Sequence, residues 1–82
     1  MDSCDIRLTA YKGGRSFQEC REAAAALVPD LSTRIDEIGS VTWDSIMEAS
    51  EYDAVVYKLV LKYLRQKGYD IGSHARQSVR PA

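Results

Sequence analysis

The residues that could do chemistry are few and scattered. The single histidine, His74, lies near the C-terminal end with no cysteine or carboxylate cluster at metal-ligand spacing around it. A zinc site needs about four such ligands and a catalytic imidazole needs a partner to fix its tautomer, so neither role is expected. Cys4 and Cys20 lie outside any CxxC spacing and follow no apolar N-terminal segment. They read as reduced thiols of a cytoplasmic protein, with Cys20 a small buried hydrophobe on a helix. Gly13-Gly14-Arg15, with Lys12 beside it, could hold an anion on backbone N–H groups but lacks the spacing of a phosphate-binding fingerprint, which favours a plain strand-to-helix turn. Asp36, Glu37, Asp44 and Glu48 form no pair set for acid and base roles. The expectation is a non-enzymatic protein with no cofactor and no metal.

What remains is recognition chemistry, concentrated between Ser50 and Gly68. Lys58, Lys62 and Arg65 recur at i, i+4 and i+7, and the basic run continues into Lys67 and the later Arg76 and Arg80. Such a stripe suits phosphate oxygens, and three or four contacts give weak, salt-sensitive binding. The same segment is rich in apolar residues. Tyr52, Val55, Val56, Leu59, Val60 and Tyr63 form one arc at ~100° per residue, Leu64 borders it, and Tyr57 and Leu61 fall outside. The surplus flank of Tyr57, Leu61 and Leu64, together with the lone Trp43, suits a protein contact, since large aromatics dominate such sites. The favoured expectation is therefore a small protein-interaction module, an adaptor, inhibitor or accessory subunit, binding a protein partner or a second copy of itself through helix 51–67. The alternative is nucleic-acid binding through Lys58, Lys62, Arg65 and Lys67.

The elements that must position these residues can be read along the chain. From Cys4 to Tyr11 apolar and polar residues alternate with the period of a half-buried strand. Ser16 with Glu19 forms a capping box that opens a helix with a stripe of Phe17, Cys20, Ala24 and Leu27, and Pro29 is expected to stop it. The segment from Leu31 to Ala49 supports two readings. Gly39-Ser40 flanked by β-favouring residues predicts a hairpin of 33–38 and 41–47, which is preferred; Leu31, Ile35 and Ile38 at i, i+4 and i+7 before Gly39 predict a short helix instead. Ser50 as N-cap, with Asp53 three residues on, opens the long helix, and Gly68 closes it. Tyr69-Asp70-Ile71 reads as a short last strand, and residues 73–82 as a flexible polar tail.

Eighty-two residues, 45% hydrophobic and 28% charged, suit one folded domain, here 1–72, and argue against disorder. No apolar run approaches the ~20 residues of a membrane span. With the hairpin, the order is β-α-β-β-α-β, a ferredoxin-like α+β domain with two helices on one antiparallel sheet; with the short helix it is β-α-α-β-α-β. The formal net charge of −1 gives no bulk attraction to nucleic acid.

Overall fold

A computed structural model describes residues 16–82. Helix α1 (Phe17–Ile38) opens on the expected capping box: the Ser16 hydroxyl accepts the Glu19 N–H, and the Glu19 carboxylate accepts the Ser16 N–H at 2.8 Å. Strand β1 (Val41–Thr42) leads directly into helix α2 (Trp43–Ala49), and a four-residue turn joins α2 to helix α3 (Ala54–Gln66). Strand β2 (Ser78–Val79) pairs antiparallel with β1, Val41 opposite Val79 and Thr42 opposite Ser78.

Pro29 does not end α1 but lies inside it. An interior proline lacks its N–H and crowds the carbonyl four residues back, at a cost of about 3 kcal/mol. The buried stripe of Cys20, Ala24, Val28, Leu31 and Ile35 runs in phase across it. Burying each large side chain of that stripe contributes roughly 1.5–3 kcal/mol, which outweighs the break, and Pro29 and Ala25 both lie on the exposed side. The helix ends at Gly39, in left-handed conformation at φ 103°, whose N–H donates to the Ile35 carbonyl at 2.8 Å.

The ferredoxin-like architecture is overturned, and so is its β-α-α-β-α-β alternative. The described residues are mostly helical, with three helices and one two-stranded sheet. The expected strand over Cys4–Tyr11 and the Gly13-Gly14-Arg15 turn lie outside the described residues. No hairpin forms over 33–47, because Leu31 to Ile38 continue α1 and Thr42 caps α2, its hydroxyl accepting the Ser45 N–H at 3.1 Å. That cap turns the chain helical where the hairpin needed a second strand.

The polar-tail reading of 73–82 is corrected as well. Asp70 and Arg80 exchange backbone hydrogen bonds at 2.9 Å each, so residues 78–80 lie between β1 and Asp70. Val79 has no exposed surface. It joins Val41, Ile46 and the α1 stripe in one core with Val56, Leu59, Val60 and Leu64 of α3. No helix among the described residues is long and apolar enough to cross a membrane.

Candidate nucleic-acid interface

Helix α3 begins one turn later than its sequence suggests. Asp53, not Ser50, is the N-cap; its Oδ1 accepts the N–H groups of Val55 at 3.0 Å and Val56 at 3.3 Å. Ser50 instead closes α2, its hydroxyl donating to the Ile46 carbonyl at 2.7 Å. Between them Glu51 and Tyr52 both take left-handed backbone angles, at φ 57° and 60°. The Tyr52 N–H donates to the Met47 carbonyl, and the Asp53 N–H to that of Ser50. Two helices are thus joined by a hydrogen-bonded turn of four residues, the chain order of a helix-turn-helix.

The later start rotates the buried arc of α3. Tyr52 lies outside the helix and is 64% exposed, and Val55 is only half-buried. The buried residues of α3, Val56, Leu59, Val60 and Leu64, centre between Val56 and Val60, roughly 45° from the expected centre at ~100° per residue. Leu64, expected at the border, is fully buried. Tyr57 and Leu61 are half-buried and sit against the core. Burial raises the Tyr57 phenol above its ordinary pKa, and the nearby Asp44 carboxylate adds to the shift.

Trp43 opens α2 and ties it to the segment beyond α3. Its backbone N–H donates to the Gln77 carbonyl at 2.9 Å and its indole N–H to the Ile71 carbonyl at 2.8 Å. Its ring meets His74 edge-on, with centroids 5.9 Å apart. The Arg76 guanidinium, 2.9 Å from the Asp70 carboxylate, holds that carboxyl below its ordinary pKa, helped by the Gly72 N–H. His74 is thus a neighbour of Trp43, and among the described residues no group of three or more His, Cys, Asp or Glu is placed to hold a metal.

The opposite side of α3 is built differently. Lys58, Lys62 and Arg65 fall within about 60° of one another and point away from the core, and all three are exposed. None makes an ion pair with a described residue. Lys67, the C-cap of the helix, lies off this stripe beside Gly68 and Tyr69. The charge contrast with α1 is sharp. Glu19, Glu22, Asp30 and Glu37 are exposed on the side of α1 opposite its buried stripe. Residues 16–53 hold nine acidic and two basic residues, a net −7, whereas residues 54–82 hold one acidic and six basic, a net +5. Since α1 and α3 face each other across the core, their charged faces point in opposite directions.

The turn between α2 and α3 is hidden in the sequence because Ser50 and Asp53 are both good caps and their spacing fits a single helix end. Thr42, an N-cap residue with Asp44 in the following turn, is the signal that would have revealed α2. No family model, curated protein or solved structure matches the chain, so its function must be read from its own residues.

Proposed function

We propose that this protein binds nucleic acid, with the outward face of α3 as the contact surface. The observation that carries the reading is the row of Lys58, Lys62 and Arg65, exposed and without acidic partners among the described residues, on the second helix of a helix-turn-helix unit. In DNA-binding helix-turn-helix units the second helix meets the nucleic acid. Asp44 and Glu48 of α2 are exposed and acidic, which leaves α3 as the element suited to phosphates. A protein partner has less support. Leu64 offers no surface, Tyr57 and Leu61 are packed on the core, and Trp43 has already donated its indole N–H.

The test is binding of a labelled duplex across a salt series. Three phosphate contacts give a slope of log affinity against log salt of about −3. The triple variant Lys58→Glu/Lys62→Glu/Arg65→Glu should lose binding while keeping its helical circular dichroism. Absence of binding at low salt, or binding indifferent to salt and to the triple variant, would refute the proposal.

A further inference from the structure

Resting on that reading, we propose that the nucleic acid is double-stranded DNA and that the face of α3 is divided. Ala54, Val55 and Lys58 read base edges in the major groove, while Lys62 and Arg65 hold phosphates. The division follows from the order of residues along the exposed face. Its first turn presents Ala54, exposed, and Val55, half-exposed; Lys58 follows one turn on, and Lys62 and Arg65 occupy the later turns. A helix that enters a groove by its first turns needs small side chains there, so that its backbone comes near the base edges. Its cations are needed further along, where the phosphate walls pass. The B-form major groove, about 12 Å wide, admits a helix, and helix-turn-helix units place the start of the second helix against the bases.

Charge complementarity selects a polyanion, and the lack of an aromatic platform on α3 favours a duplex. Single strands are bound on platforms of several exposed aromatics, whereas the two tyrosines of α3, Tyr57 and Tyr63, are half-buried against the core and Tyr52, in the preceding turn, is a single exposed ring. Duplex RNA has a major groove too narrow for a helix to read. The chemistry of the first turns then sets the sequence class. Small apolar side chains match the thymine methyl group, and a lysine ammonium donates to guanine O6 and N7. These exposed first turns carry no amide or carboxylate to read adenine or cytosine. The expected site therefore contains a guanine beside one or more thymines.

The experiment is selection of bound duplexes from a random pool, followed by affinity measurements on the selected site. Wild-type protein should enrich a short motif containing guanine next to thymine. Replacing that guanine by 7-deazaguanine should weaken wild-type binding at least about fivefold, the lower end of a base contact, and leave Lys58→Ala unaffected. Replacing thymine by deoxyuridine should weaken binding to both. Lys62→Ala and Arg65→Ala should each lower affinity for every duplex alike and reduce the salt slope by about one, with the motif unchanged. Salt-sensitive binding without an enriched motif, or Lys58→Ala behaving like Lys62→Ala, would overturn the division while leaving nucleic-acid binding intact. Preference for single strands or RNA would overturn the choice of duplex DNA, and no binding to any pool would remove the underlying reading as well.

Discussion

Gly72 is where the chain turns to bring its last residues back across the sheet, and its demands differ from those of the other described glycines. Its φ is +83°, and a Cβ built there would collide with the Ser78 carbonyl oxygen. Gly39 and Gly68 share the left-handed conformation, at +103° and +102°, but a Cβ at either would meet open space. Alanine at 39 or 68 therefore incurs only the backbone cost of about 1–2 kcal/mol. At 72 it also forces Ser78 away from its place opposite Thr42 and loosens the buried Val79. Gly72→Ala is expected to lower the unfolding free energy in urea clearly more than Gly39→Ala. Equal losses would show that the 70–80 segment has room to give.

Among the elements, α1 holds together because its buried stripe outweighs a local defect, and removing the defect should show it. Pro29→Ala restores an N–H aimed at the Ala25 carbonyl on the exposed side of the helix. The variant should be more stable by up to about 3 kcal/mol, seen as a higher Tm, with nucleic-acid affinity unchanged. An unchanged or lower Tm would mean that the helix has already adapted its backbone to the proline. The same contest explains what could be read in advance. The Ser16–Glu19 capping box and the basic stripe were legible because each is a local pattern of spacing. The continuity of α1 was not, since proline is a local stop and only burial against α3 reveals why it fails. Hairpin and helix compete on equal local terms over 31–47, and the Thr42 cap decides between them. For α3, a cap at Ser50 puts Tyr52 and Val55 in the buried arc and Leu64 only at its border, whereas Lys58, Lys62 and Arg65 fall outside the core with either cap.

At the scale of the whole molecule, an almost neutral chain is folded into two opposed charged faces, acidic outside α1 and basic outside α3. A net charge of −1 says nothing of this arrangement. In dilute buffer the Debye length reaches about 30 Å, long enough for the basic face of one molecule to sense the acidic face of another; near physiological salt it shrinks to about 8 Å. The solution should therefore be least ideal where salt is lowest. Static light scattering is expected to give a negative second virial coefficient in low salt that rises toward zero as salt is added, the opposite of ordinary like-charge repulsion. Concentrated stocks should correspondingly be clearer in salt than in water, and a positive coefficient at low salt would mean that the two faces do not act as separate poles.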